Sequence, residues 1–140
     1  MKGKSIKKGL LKSFRLYPTL FYVDVWVCNN NERISEMFSE MYGASKDYYY
    51  DHFNENGRIR DYCTSIIATK ESKLKGEQRL IVVLQSFDKS VITHEAHHVL
   101  CLLSDITGVE LGIKAQEWGA YMVEYIYSQC IDIDSFSVYE

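Results

Sequence analysis

Apolar and polar positions recur along this chain in patterns that mark out its elements. Residues Thr19 to Cys28 alternate and are rich in Tyr, Val, Phe and Trp, which predicts a strand. Asn29, Asn30 and Asn31 follow with turn and N-cap chemistry. Ile34, Met37, Phe38, Met41 and Tyr42 then fall at the spacing of one helical face, and Gly43 is a natural stop. The polar, tyrosine-rich stretch from Ala44 to Arg60 predicts a loop or a short irregular helix. Residues Tyr62 to Ala68 and Arg79 to Gln85 read as two further strands, joined like a hairpin by the polar segment Thr69 to Gln78.

Two longer helices complete the pattern. Asp88 is placed to cap a helix running to about Ile106, with Gly108 as its C-terminal stop. At about 100° per residue, Ile92, Ala96, Val99 and Leu103 share one side of it. His94, His98, Cys101 and Asp105 share the opposite side, and Glu95 flanks them. A last helix from about Ile113 to Gln129 has Ala115, Gly119, Met122 and Ile126 on its apolar stripe. Glu117, Tyr121, Glu124 and Ser128 face away from that stripe. No internal repeat or domain boundary is visible. The expected class is α+β, with a small three- to four-stranded sheet packed against the two long helices.

Composition adds bounds. With 140 residues, 46% hydrophobic and 25% charged, the chain suits one domain with its own core. Its longest uninterrupted apolar runs, such as Val99 to Leu103, are too short to span a bilayer. Tyr17, Pro18, Thr19 and Asp24 interrupt any signal-like apolar region, so the expected setting is cytoplasmic, without a membrane. Cys28, Cys63, Cys101 and Cys130 are scattered, as core thiols are, and show no paired metal spacing. Lys2, Lys4, Lys7, Lys8, Lys12 and Arg15 all precede the first acid, Asp24, although the chain as a whole carries −3. This predicts a basic N-terminal arm over residues 1–16, ahead of a single domain over 17–140. The arm is read as a solubilising segment or as a contact for nucleic acid or another polyanion.

The segment Thr93-His94-Glu95-Ala96-His97-His98 carries the strongest chemical signal. His94 and His98 are about 1.1 turns apart and leave one helical face together. Two imidazoles so placed can grip one zinc ion, and Glu95 beside the first can take a proton from a water that the ion polarises. His97 points about 60° away from His94 and is expected to be a surface or packing residue. A catalytic zinc wants a third protein ligand and an open position. Cys101 sits two turns beyond His94, too far to join both histidines on one ion, and Asp105 is farther still. Glu117, early in the next helix and on its non-packing stripe, is the expected third ligand.

His94-Glu95-Ala96-His97-His98 followed by Gln116-Glu117-Trp118-Gly119-Ala120-Tyr121 resembles the gluzincin arrangement of zincin-like metallopeptidases. The branch with an extended histidine motif is excluded, because it needs Gly and His where this chain has Cys101 and Ser104. The order of elements over roughly residues 60 to 130 is also similar to a minimal zincin core, and to the small metallopeptidases carried by phages and mobile elements. The resemblance implies zinc held by His94, His98 and Glu117, with Glu95 as catalytic base. It also implies a peptide or protein substrate added beside the sheet edge at Arg79 to Gln85. Where many gluzincins carry an aspartate supporting the first histidine, this chain has Tyr121, so that support is expected from Glu124 or a backbone carbonyl. Tyr121, His52 and one of Tyr48 to Tyr50 are the candidates to stabilise an oxyanion. The expected function is a zinc-dependent peptidase or amide hydrolase. The alternative is a non-catalytic zincin-like module that binds a protein or nucleic-acid partner and keeps zinc structurally.

Overall fold

The computed structural model describes residues 6–17, 19–52, 54–55, 58–59, 61–110, 112 and 116–140. In chain order the elements are β1 (Leu10–Arg15), β2 (Tyr22–Val27), α1 (Asn31–Tyr42), α2 (Lys46–His52), β3 (Asn54–Glu55), β4 (Arg58–Ile59), β5 (Tyr62–Ile67), β6 (Gln78–Leu84), α3 (Lys89–Thr107), α4 (Gln116–Ile131) and β7 (Ser137–Val138). Strands β3 and β4 pair with each other. The other five form one sheet in the order β5-β6-β2-β1-β7. Among the described residues only the β2–β6 pairing is parallel, with Val23 opposite Leu80 and Val27 opposite Leu84. The protein is thus a mixed α/β fold in which a five-stranded sheet carries helices on both faces.

Alternation along the central strands builds two cores. Val23, Val25 and Val27 of β2, with Leu80, Val82 and Leu84 of β6, pack under Ile92, Ala96, Val99, Leu103, Met122 and Ile126 of α3 and α4. Trp26, Ile81 and Val83 point to the other face, against Ile34, Met37, Phe38 and Tyr42 of α1. Asp24 shares this second face and is 1% exposed. It accepts hydrogen bonds from Ser13 Oγ (2.6 Å) and Tyr42 Oη (2.8 Å), and the Arg79 guanidinium lies 3.5 Å away. Trp26 Nε1 donates to Tyr42 Oη at 2.8 Å. A carboxyl group in the middle of a sheet is tolerable because its hydrogen-bond partners are donors and a guanidinium stands beside it.

The long helices begin and end on the residues the sequence marks. Asn30 caps α1 by accepting from Arg33 N, and Asp88 caps α3 by accepting from Ser90 N. Gly43 closes α1 with φ of 73°, and a Cβ there would lie 2.1 Å from Thr69 Oγ1, so no other residue fits without a shift. Helix α4 buries Gly119, Met122 and Ile126 and exposes Glu117, Tyr121, Glu124 and Ser128. Ile113 and Ala115 lie outside the described residues.

Three expectations are corrected. The sheet has five strands rather than three or four, because β1 and the two-residue β7 extend it. The basic stretch does not all lie outside the domain: β1 pairs with both β2 and β7, and Leu10 and Leu16 are fully buried. Its charges are tied into the fold, with Lys12 Nζ donating to the Gln129 carbonyl and Arg15 Nε to the Thr19 carbonyl. Lys2 and Lys4 lie outside the described residues. Finally, Arg79 to Gln85 cannot receive a peptide at a sheet edge, because β6 is bonded to β5 on one side and β2 on the other. The edge strand on that side is β5.

Candidate metal centre

Helix α3 lays its aliphatic stripe on the sheet and turns its histidines outwards. Ile92, Ala96, Val99 and Leu103 are buried, whereas His94, His97, His98 and Cys101 are exposed. Glu95 lies between these two faces and is 5% exposed. That orientation follows from the stagger of the sequence: Glu95 falls on the flank of α3 that meets β5.

His94, Glu95 and His98 each offer a ligand atom, and these atoms lie within 4.8 Å of one another. His94 Nε2 and His98 Nε2 are 3.0 Å apart, with the rings inclined at 72°. Two nitrogens each ~2.0–2.1 Å from a tetrahedral zinc stand about 3.3 Å apart, so the pair already approximates one edge of such a site. Partial desolvation, together with the neighbouring His94 and His97, holds the His98 imidazole below its ordinary pKa. That direction favours the neutral ring, which is the form that binds metal. The donor set therefore fits a divalent ion of borderline softness.

The floor and walls come from β5. A cavity of about 340 Å³ is lined by Asp61, Tyr62, Cys63, His94, Glu95 and His98. A neighbouring one of about 380 Å³ is lined by Asp61, Ser90, Val91, His94 and Glu95. Burial, reinforced by the nearby Glu95 carboxylate, pushes the Cys63 thiol far above its ordinary range. Cys63 is a wall of the cavity beside Glu95 and His98. Asp61 accepts a hydrogen bond at Oδ1 from the Gln85 backbone N–H at 2.9 Å. The sequence reading passed over Asp61, since one aspartate before a strand carries no motif. Only the pairing of β5 with β6 and the seating of α3 bring it to the histidines.

Other expected participants stand elsewhere. Glu117 is exposed in the first turn of α4 and does not join the cluster of His94, Glu95 and His98. Helix α4 meets α3 along a different face, where Thr93, His97, Leu100, Gly119, Val123 and Glu124 line a groove of about 680 Å³. Glu124 thus sits with His97 rather than behind His94. His97 Nε2 lies 3.5 Å from Cys101 Sγ, a contact the sequence reading did not foresee. Tyr48 and Tyr49 belong to the opposite side of the sheet, where Tyr48 Oη meets Thr64 Oγ1 at 3.3 Å and Tyr49 Oη donates to Asn31. Tyr121 is 68% exposed and faces away from the α4 core stripe. The His52 side chain lies outside the described residues. No helix among the described residues is long and apolar enough to cross a membrane. No family model, curated protein or solved structure matches the chain.

Proposed function

We propose that the protein is a zinc-dependent hydrolase of peptide or related amide bonds, a zincin-like metallopeptidase of minimal size. The observation that carries this reading is the 3.0 Å approach of the His94 and His98 Nε2 atoms beside the buried carboxylate of Glu95. A carboxylate held within 4.8 Å of both imidazole donors on the cavity wall is placed to act as a base towards a water that the ion polarises. Zinc, when bound, supplies Lewis-acid polarisation that brings a water's pKa towards ~7. Glu95 takes the proton from that water and returns it to the leaving amine nitrogen. Cys63 and Val91 present neutral side chains around the carboxylate and limit its hydration. The outer edge of β5, the end strand of the sheet among the described residues, offers a place for an extended peptide to add.

A second reading is a non-catalytic module that keeps zinc structurally and binds a protein or nucleic-acid partner. It draws on the outward exposure of both histidines. Replacing Glu95 by Gln separates the two. On the first reading, zinc content is retained while cleavage of a quenched peptide library falls by ~10² to 10⁴. Absence of cleavage by the zinc-loaded parent, or an unchanged rate in the variant, contradicts the hydrolase and favours the module.

A further inference from the structure

Glu117 is not in the group of His94, Glu95 and His98, and with Glu95 kept as the base the two imidazoles need a further protein ligand. We propose that Asp61, not Glu117, is the third protein ligand of the ion gripped by His94 and His98. The inference rests on the metal-centre reading and adds the ligand which that reading leaves open.

Three observations point to Asp61. It lines both cavities at the histidines, in each case together with His94 and Glu95. It immediately precedes β5, two residues from Cys63, which packs against the core under α3. Its Oδ1 is already engaged by the Gln85 N–H, the kind of outer hydrogen bond that orients a ligating carboxylate and leaves its second oxygen for the ion. Asp61 is outside the 4.8 Å cluster, so its carboxylate must pivot on the Oδ1 bond to the Gln85 N–H to bring Oδ2 to the metal. Helix α4 packs beside Thr93, His97 and Leu100, and Glu117 lines neither cavity at the histidines. His94 and His98 leave α3 on the far side of that contact, about 60° and 100° from His97. The resulting donor set is two neutral imidazoles and one carboxylate, with a fourth position open, as catalytic zinc sites have.

The test is metal affinity of the full-length chain, measured by competition of zinc with a chromogenic chelator, with cobalt(II) absorption as a report of coordination. The variants are Asp61→Ala, Asp61→Asn, Asp61→His, Glu117→Ala and His94→Ala, each checked for fold by circular dichroism. Asp61→Ala and Asp61→Asn are expected to lose more than the ~10–100-fold that removal of an outer-sphere partner costs, and to lose the intense four-coordinate cobalt bands. Asp61→Asn keeps an acceptor for the Gln85 N–H, so its loss reports ligation rather than strand packing. Asp61→His, which restores a donor, is expected to recover affinity, and Glu117→Ala to bind as the parent does. Parent-like affinity in Asp61→Ala, with His94→Ala depleted, overturns the role of Asp61 and leaves the metal centre standing. Equal, negligible zinc binding by parent and His94→Ala overturns both.

Discussion

His94 and His98 hold their Nε2 atoms 3.0 Å apart on the outer face of α3, one helical turn from each other. The approach is fixed by a helix whose opposite face is anchored through Ile92, Ala96, Val99 and Leu103. The two nitrogens are therefore brought together by packing, and on the proposed reading little ordering is left for an ion to supply. It follows that metal binding and fold stability are linked.

Zinc in excess should raise the melting temperature, and a chelator should reverse the rise. At a free zinc concentration a hundred times its Kd, the native state gains ~2.7 kcal/mol, provided the unfolded chain does not bind. Differential scanning fluorimetry with and without chelator reads this directly. His94→Ala should melt at one temperature in both conditions.

Leu103 is fully buried beneath α3, beyond the histidines. Leu103→Ala should cost ~2–5 kcal/mol in a urea titration through the cavity it leaves. Measured as the folded protein, its zinc affinity should match the parent's, because the ligand atoms lie on the opposite side of the helix.

Removing residues 1–16 should abolish cooperative folding. The deletion takes away β1 and with it the buried side chains of Leu10, Phe14 and Leu16. At ~1.5–3 kcal/mol for each such side chain, the loss is comparable with the ~5–15 kcal/mol stability of a whole domain. A truncated chain that melts like the parent would show that the stretch is a dispensable arm after all.

Asp24 should impose a pH dependence of its own. Burial raises its pKa, against the lowering effects of Ser13, Arg79 and Tyr42; Glu77 adds to the rise. A carboxyl whose folded pKa exceeds its unfolded value of 3.8 binds its proton more tightly in the native state. Its favourable contribution is complete below the unfolded pKa and is lost as pH rises through the folded one. The stability of the parent relative to Asp24→Asn should accordingly fall as pH is raised from about 3.5 towards neutrality. Paired urea titrations across that range check the sign, and a difference that grows with pH would contradict it.

Much of the fold is legible in the sequence because its signals are local. The stripe of Ile34, Met37, Phe38 and Tyr42, the caps Asn30 and Asp88, and the stops Gly43 and Gly108 each act within a few residues. Strand β1 escapes that reading because Lys12, Ser13 and Arg15 interrupt its apolar residues. Its signal is the spacing of Leu10, Phe14 and Leu16, which a run of cations disguises. Strand β7, two residues long, has no periodicity to detect. The interior position of β6 depends on its parallel pairing with the distant β2, which no local pattern encodes. The site divides in the same way. His94, Glu95 and His98 are legible because one helix sets their geometry. Whether Asp61 or Glu117 completes them depends on how β5 and α4 are seated against α3, and that is tertiary.

The most direct test of the account is the zinc content of the protein purified without a histidine tag, measured by elemental analysis beside His94→Ala, His98→Ala and Glu95→Gln. The account predicts one zinc per chain in the parent and in Glu95→Gln, and almost none in either histidine variant. Equal metal in all four proteins, or a parent that cannot be loaded with zinc at all, would contradict it.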